Sequence, residues 1–382
     1  RVFKTSRRNK KKFNRFLMKK NFLILLISCL IFFSVDFFIG KIILNSLYKS
    51  NILESPEKIK FKVEQRKKNE KSYRIKNDFY HHTLKSNIKV KSIWGDISYS
   101  TCTDQLGFRT SCEKNTYKKN KRKIIFIGDS FTEGLGLGYQ DTFVGMFDKF
   151  SSYQIINMGV TSYSPIIYFK KIQYYIDNGL DVDEVFVFID ISDIDDESIY
   201  YECEKKKSVC TKSLDKLANI NKFNEVEKKF FPLFDQVKLI IKQIKRKIKP
   251  KVYIYRKDYH RSYWTYSENN NQINKGIKNA TANMSKLYEY LSKKNIPISV
   301  GVYPIPGQIL HDVETSKQVE IWRNFCIKKC KNFINLFPIF FEEKSKLSDM
   351  DIVKKYYLKH DVHFNELGHE KIFKELLRLN VF

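Results

Sequence analysis

The 382-residue sequence predicts an α/β fold with a central parallel sheet, and three observations carry that prediction. Hydrophobic residues make up 42% of the chain, which is enough for a sizeable core and argues against global disorder. Short apolar runs rich in β-branched and aromatic residues recur along the sequence. Segments between these runs carry apolar residues at helical spacing, so strands alternate with helices as in βαβ units.

Five apolar runs are the predicted strands of this sheet. The clearest is Lys-Ile-Ile-Phe-Ile-Gly at residues 123–128, and the others occupy residues 153–158, 184–191, 297–303 and, more weakly, 333–337. One intervening helix is indicated by apolar residues at steps of three and four: Ile277, Ala280, Met284, Leu287 and Leu291. Parallel sheets bind ligands at the carboxyl ends of their strands, so we expect functional residues there.

A Lys-rich region from about residue 195 to residue 274 interrupts the alternation of strands and helices and is a predicted helical insertion. Within it, apolar residues form a stripe at helical spacing: Phe230, Phe234, Val237, Ile241, Ile244 and Ile248. Two interpretations stay open. The stripe belongs to an amphipathic helix that lies on lipid or covers the active site, or to an ordinary helix packed on the core with a solvated basic face.

The first 20 residues are strongly basic, and residues 21–40 form an apolar run. About 20 helical residues span a hydrocarbon core of roughly 30 Å, so residues 21–44 are a predicted transmembrane anchor. The basic flank predicts a cytoplasmic N-terminus, with the rest of the chain on the periplasmic side of an inner membrane. Asp36 falls near the outer end of the run, where water is within reach. A Lys-rich stalk at 45–78 would then carry a folded domain at 79–382.

Other interpretations of the apolar run stay open. The run could be a cleaved signal peptide, but no small-x-small cleavage site follows it. In a lipoprotein signal, Leu-Ile-Ser-Cys would end at Cys29, but the apolar run continues past that cysteine. A buried core helix is disfavoured by the basic flank. The chain begins at Arg1, and Met18 is a candidate initiator.

The cysteines agree with export. Six of the seven fall in close pairs: Cys102/Cys112, Cys203/Cys210 and Cys326/Cys330. Local pairing is typical of disulfides in an oxidising compartment, although free buried thiols would show the same spacing. The sequence contains no Cys-x-x-Cys and no Cys/His cluster with zinc spacing, so we predict neither a metal site nor a cofactor.

The formal net charge of +28 has three interpretations. A compositional preference for lysine would spread charge over every solvated face. Attraction to anionic lipid or to an acidic glycan is the second. Nucleic acid is disfavoured, because zinc-finger spacing, RNP-like aromatic motifs and a basic region with heptads are all absent from the sequence.

Ser130 is the candidate nucleophile. It comes directly after the strand at 123–128, in Gly-Asp-Ser-Phe-Thr-Glu-Gly at residues 128–134. A hydroxyl at the end of a buried strand is rigidly held, but serine is a weak nucleophile without an adjacent base. On its own, Ser130 could equally cap a short helix.

The candidate base is His363, with Asp361 as its acidic partner. Both precede a predicted C-terminal helix for which Asn365 is a fair N-cap. Asp361 can accept a hydrogen bond from His363 Nδ1, which would turn Nε2 toward Ser130. His360 and His369 are rival bases that we rank below His363.

Three segments together resemble sequence blocks of the SGNH/GDSL hydrolase superfamily, and they occur along the chain in the same order as in that superfamily. Residues 128–134 resemble block I, Asn157-Met158-Gly159-Val160 resembles block II, and Asp361-Val362-His363 resembles the C-terminal acid–histidine block. Leu106-Gly107-Phe108-Arg109 is similar to the segment that precedes block I in many exported members. The resemblance runs from about residue 80 to residue 379. It implies a three-layer flavodoxin-like fold and acyl-ester chemistry without a cofactor.

The resemblance also implies an oxyanion hole, which would be formed by the amides of Ser130 and Gly159. Block III usually supplies an asparagine as a third donor, whereas this chain has Ser192 at that place, in Phe-Ile-Asp-Ile-Ser-Asp at 188–193. Loss of one such donor can cost about 10²–10³ in rate. The Asp-x-His spacing resembles members that add or remove acetyl groups on exported polysaccharides, such as the alginate acetyltransferase group.

Two further residue sets have alternative interpretations. One set would either line a glycan-binding surface or consist of core aromatics and a strand-terminating turn: Trp264, Trp322, Tyr303, Pro304 and Pro306. Asp190, Asp193, Asp195 and Asp196 form a cation site or cap the strand end, and the EF-hand pattern is absent from the sequence.

Three functions therefore compete. The first is an exported glycan O-acyl esterase or O-acyltransferase, anchored in the membrane and acting on an acyl ester. The second is a lipid esterase, and the third is a non-catalytic glycan-binding or assembly protein on the same scaffold. The sequence leaves the acceptor and the oligomeric state open.

Overall fold

The computed structural model describes residues 18–35, 72–95, 97–113, 121–203, 210–212, 253–268 and 270–381, together with residues 42, 46, 49 and 50. The chain divides into two compact units. One comprises residues 1–63 and 224–250, and the other comprises residues 64–223 and 251–382. The predicted stripe at 230–248 lies outside the described residues, as does most of the predicted stalk.

In the first unit, the apolar N-terminal run forms helix α1, Met18–Val35, with a mean hydropathy of 1.8. By length and composition this helix could cross a membrane, and a signal sequence would meet the same criteria.

The second unit is an α/β fold around an eight-stranded sheet, as predicted. The strands in chain order are β1 Arg74–Asn77, β2 His81–Leu84, β3 Lys89–Trp94, β4 Ile97–Thr103, β5 Arg109–Thr110, β6 Lys123–Gly128, β7 Gln154–Asn157, β8 Glu184–Ile189, β9 Tyr201–Cys203, β10 Cys210–Lys212, β11 Ile298–Val302 and β12 Phe333–Asn335. The order across the large sheet is β12-β11-β8-β6-β7-β5-β4-β3. The five predicted strands are β6, β7, β8, β11 and β12, and they pair in parallel.

Helices cover this sheet. They are α2 Ser130–Glu133, α3 Phe143–Phe150, α4 Pro165–Asp177, α5 His260–Tyr263, α6 Asn271–Ser292, α7 Pro306–His311, α8 Lys317–Cys326, α9 Phe337–Phe341, α10 Asp349–Tyr356 and α11 Glu366–Arg378. A helical turn at Asp193–Asp195 continues as a π-helical stretch at Asp196–Tyr200. Of the predicted apolar face of α6, Ala280, Met284, Leu287 and Leu291 are buried and Ile277 is partly buried.

The antiparallel part of the molecule was not predicted. Strands β3, β4 and β5 extend the parallel sheet on the β7 side, and β1 pairs with β2 as a separate hairpin. These strands are short, and β3 alternates between exposed and partly buried positions, so they lack the continuous apolar runs of the central strands.

Two of the predicted cysteine pairs fall within the described side chains, and both form disulfides. Cys102 on β4 is bonded to Cys112, and Cys326 at the end of α8 is bonded to Cys330. Cys203 and Cys210 occupy directly opposite positions in the β9–β10 hairpin, and their side chains lie outside the described part of the chain. Cys29 on α1 is a free thiol.

Candidate active site

Ser130 begins helix α2 directly after strand β6, at the carboxyl end of the parallel sheet. The side chain of Asp129 caps this helix by accepting a hydrogen bond from the Phe131 N–H at 3.0 Å. Gly128 must be a glycine, because a Cβ there would lie 2.7 Å from the Phe188 carbonyl oxygen. The tight exit from β6 therefore fixes the position of the Ser130 hydroxyl.

The Ser130 hydroxyl and the His363 imidazole are in hydrogen-bond contact across 233 residues of sequence. Ser130 Oγ lies 2.7 Å from His363 Nε2, and His363 Nδ1 lies 2.5 Å from Asp361 Oδ1. Burial alone would raise the pKa of Asp361, but its hydrogen bond and charge interaction with His363 outweigh burial and lower the pKa to about 2. Asp361 is therefore a carboxylate at physiological pH, which holds His363 with Nε2 toward the serine.

Trp94, at the end of β3, supports this pair from the other side. Its indole N–H donates to Asp361 Oδ2 at 2.9 Å, and its ring meets the His363 ring edge-to-face at 5.2 Å. Asp361 thus has a separate partner for each carboxylate oxygen. The sequence did not reveal Trp94 as a site residue because it lies in the antiparallel extension, whose neighbours in space are distant in sequence.

The rival bases occupy different positions. His369 is buried behind the site, where its Nδ1 accepts a hydrogen bond from the Phe143 N–H at 3.2 Å. Burial lowers the pKa of His369 to about 3, so it is a neutral packing residue. His360 lines the same cavity as Ser130, on the loop that carries Asp361. Among the described histidines, His363 is the one hydrogen-bonded to Ser130.

A cavity of about 290 Å³ opens over the serine. Its walls include the serine and the histidine, together with Thr161, Ser162 and Ser192. Ser162 has a positive φ of 65°, which is rare for a residue with a side chain and occurs at functional turns. No sequence pattern pointed to Ser162, because a serine in the left-handed backbone region belongs to no recognisable motif.

The other two residues expected at the oxyanion hole are held by internal hydrogen bonds. The Gly159 N–H donates to Asn157 Oδ1 at 3.0 Å, and the glycine packs so closely on α2 that a Cβ would lie 2.8 Å from the Glu133 nitrogen. Gly159 does not belong to the described lining of the cavity. Ser192 does, but both its N–H and its hydroxyl donate to Asp190 Oδ2.

A buried carboxylate also contacts the serine. The Ser130 hydroxyl lies 3.0 Å from Asp129 Oδ2, and the Tyr303 hydroxyl donates to Asp129 Oδ1 at 3.3 Å. Burial, reinforced by the nearby charge of Asp190, raises the pKa of Asp129 to about 7. Burial also raises the pKa of Asp193. In the described part of the chain, no group of three or more His, Cys, Asp or Glu residues is arranged to hold a metal ion.

A buried ion pair supports the rim of the cavity. Glu133, at the end of α2, accepts hydrogen bonds from Arg74 and, at 2.7 Å, from both the backbone N–H and the hydroxyl of Thr161. Burial alone would raise the pKa of Glu133, but the Arg74 guanidinium outweighs burial and lowers it. The β1–β2 hairpin thereby anchors the loop that presents Thr161 and Ser162.

Comparison with solved structures finds distant similarities. A member of the lipolytic protein G-D-S-L family from Veillonella parvula DSM 2008 is 12% identical with a TM-score of 0.39, over 68% of this chain and 97% of that one. The acetylxylan esterase Axe2 from Geobacillus stearothermophilus, as a catalytic mutant, is 13% identical with a TM-score of 0.36, over 67% and 93%. The SGNH-hydrolase family esterase AlinE4 is 14% identical with a TM-score of 0.34, over 68% and 95%. No family model and no curated protein matches this chain.

Proposed function

We propose that this protein is a serine-dependent esterase or acyltransferase of the SGNH kind, which acts on acyl esters of a glycan outside the cytoplasm. The contact of Ser130 Oγ with His363 Nε2 at 2.7 Å, backed by Asp361, is the single observation that carries the proposal. A nucleophile, a base and a group that orients the base are the parts that acyl transfer requires.

The reaction proceeds through an acyl-enzyme. Ser130 Oγ attacks the ester carbonyl carbon while His363 Nε2 takes the hydroxyl proton. The tetrahedral intermediate collapses, the bond to the alcohol oxygen breaks, and His363 returns the proton to the departing alcohol. Water or a sugar hydroxyl then attacks the acyl-enzyme, losing its proton to His363, and Ser130 is regenerated.

The oxyanion is stabilised by donors around the cavity. We assign this role to the N–H of Ser130, which begins α2 and lines the cavity. The N–H of Gly159 joins it if its hydrogen bond to Asn157 is released, and Ser192 joins it if its hydroxyl turns away from Asp190. Gly159 also packs closely against α2.

The full-length protein in detergent tests this function with p-nitrophenyl acetate as substrate. Wild-type protein should hydrolyse the ester, and Ser130→Ala should lower kcat by about 10³-fold or more. The p-nitrophenyl octanoate ester is compared with the acetate, since a lipid esterase would prefer the longer acyl chain and an enzyme for acetylated glycans would prefer the acetate. Equal turnover by wild type and Ser130→Ala would sink the enzyme proposal and leave the non-catalytic function.

A further inference from the structure

A second cavity adjoins the one over Ser130. It has a volume of about 450 Å³ and shares two residues, Asp196 and Arg261, with the catalytic cavity. A substrate that occupies both would therefore pass over the side chains of this pair. Arg261 and its neighbours on α5 belong to the insertion, so this cavity is an addition to the central α/β scaffold.

The remaining walls of this cavity combine aromatic and polar groups. Tyr263 and Trp264 contribute rings, and Asn270 and Gln272 contribute amides. Trp264 is 2% exposed, and among the described residues its indole N–H has no hydrogen-bond acceptor. A buried donor without an acceptor costs free energy, so a ligand oxygen that accepts from it would relieve that cost.

The charge of the cavity selects among ligands. Four carboxylates line it, from Asp195, Asp196, Asp258 and Glu268, and Arg261 supplies the one guanidinium of the described lining. Arg256 pairs with Asp258, which leaves three carboxylates against Arg261. Burial lowers the pKa of the lining His260, which adds no positive charge at neutral pH. An acidic sugar would meet net repulsion here, although the chain as a whole carries +28.

We infer that this cavity is a subsite for a neutral sugar ring next to the acylated unit of the substrate. Carboxylates, amides and the Arg261 guanidinium supply acceptors and donors for sugar hydroxyls, Trp264 supplies a further donor, and the exposed ring of Tyr263 supplies an apolar face. This inference rests on the proposed function, because it places the neighbouring unit of the same glycan beside Ser130. It makes an acidic glycan a poor ligand at this position.

Calorimetry on full-length Ser130→Ala protein in detergent tests the subsite without catalysis. The probes are neutral cellotetraose and anionic tetragalacturonate. Cellotetraose should bind more tightly than tetragalacturonate. Trp264→Phe, which removes the indole N–H, and Glu268→Gln, which removes an exposed lining carboxylate, should each weaken cellotetraose binding about fivefold to tenfold.

Glu314→Gln is the matched control, because Glu314 is exposed and lies outside the described lining of either cavity. It should leave binding unchanged, and thermal melting of each variant reports whether the fold is retained. The inference is overturned if neither probe binds, if tetragalacturonate binds as tightly as cellotetraose, or if the folded cavity variants bind like the control. Every protein in this binding experiment carries Ser130→Ala. A failure to bind cellotetraose is therefore distinguishable from a failure of the wild-type protein to hydrolyse p-nitrophenyl acetate.

Discussion

Individual residues of the candidate site differ in what holds them. Ser130 is fixed by its backbone, at a glycine exit from β6, whereas His363 is fixed by its side-chain partners. Asp361 in turn accepts from the ring and the backbone N–H of His363 and from the indole of Trp94. The orientation of the base therefore depends on a tryptophan that itself lines the catalytic cavity.

Trp94→Phe should lower kcat by about tenfold or more with little change in KM, because a hydrogen bond to a charged group typically contributes about 1.5–3 kcal/mol. The carboxylate stays ionised, so the loss is one of orientation, and the pH–rate profile should keep its shape. Steady-state hydrolysis of p-nitrophenyl acetate measures both constants.

Tyr290→Phe is the matched control for Trp94→Phe. It removes another aromatic donor to a carboxylate, the 2.5 Å bond from the Tyr290 hydroxyl to Asp177, which lies on the surface away from the cavity. Tyr290→Phe should leave kcat unchanged. A Trp94→Phe enzyme with wild-type kcat would show that the indole does not position the base.

Secondary-structure elements bring the site together through a small number of buried links. The β1–β2 hairpin reaches the end of α2 through Arg74 and Glu133, and Glu133 binds the loop at Thr161. The hairpin lies outside the main sheet and is also held by hydrogen bonds of His82 with the Thr161 carbonyl and with the Tyr163 hydroxyl.

Arg74→Met should lower the free energy of unfolding by about 3 kcal/mol, because it leaves a buried carboxylate without its cation. The folded-state pKa of Glu133 is depressed, so its contribution to stability is present above its unfolded pKa and is lost as the pH falls through the folded value. Without Arg74, burial raises the folded-state pKa of Glu133 toward its unfolded value, so in Arg74→Met this loss on acidification should shrink. Urea unfolding between pH 3 and pH 7 measures both effects.

Arg122→Met provides the comparison, since Glu184 is equally buried but keeps Lys331 as a second partner at 2.8 Å. It should cost clearly less than Arg74→Met. Equal losses from the two variants would contradict the role given to the Arg74–Glu133 pair.

On the scale of the whole molecule, the apolar helix α1 and the disulfides of the described residues agree with an exported protein. We propose a single-pass anchor with the folded domain on the periplasmic side. A C-terminal alkaline phosphatase fusion, in a host with a periplasm, should be active, while a C-terminal green fluorescent protein fusion exported by the same route should not fluoresce. The opposite pattern would contradict this orientation.

Sequence patterns predicted those parts of the molecule that leave a local mark. The central strands are continuous apolar runs, and Ser130, Asp361 and His363 stand in short motifs beside predicted strand and helix ends. Trp94, Ser162 and Arg261 left no such mark. Trp94 reaches the cavity through antiparallel strand pairing, Ser162 through a left-handed backbone conformation, and Arg261 through the insertion. Each of these depends on contacts between segments that are distant in sequence.

Covalent labelling tests the central claim most directly, namely that Ser130 is a nucleophile activated by His363. Full-length protein is treated with a fluorophosphonate, and the modified residue is located by mass spectrometry of its peptides. We expect one adduct, on Ser130, with labelling slowed by about 10³-fold or more in His363→Ala. Absence of an adduct on Ser130, or equal labelling rates in wild type and His363→Ala, would contradict the claim.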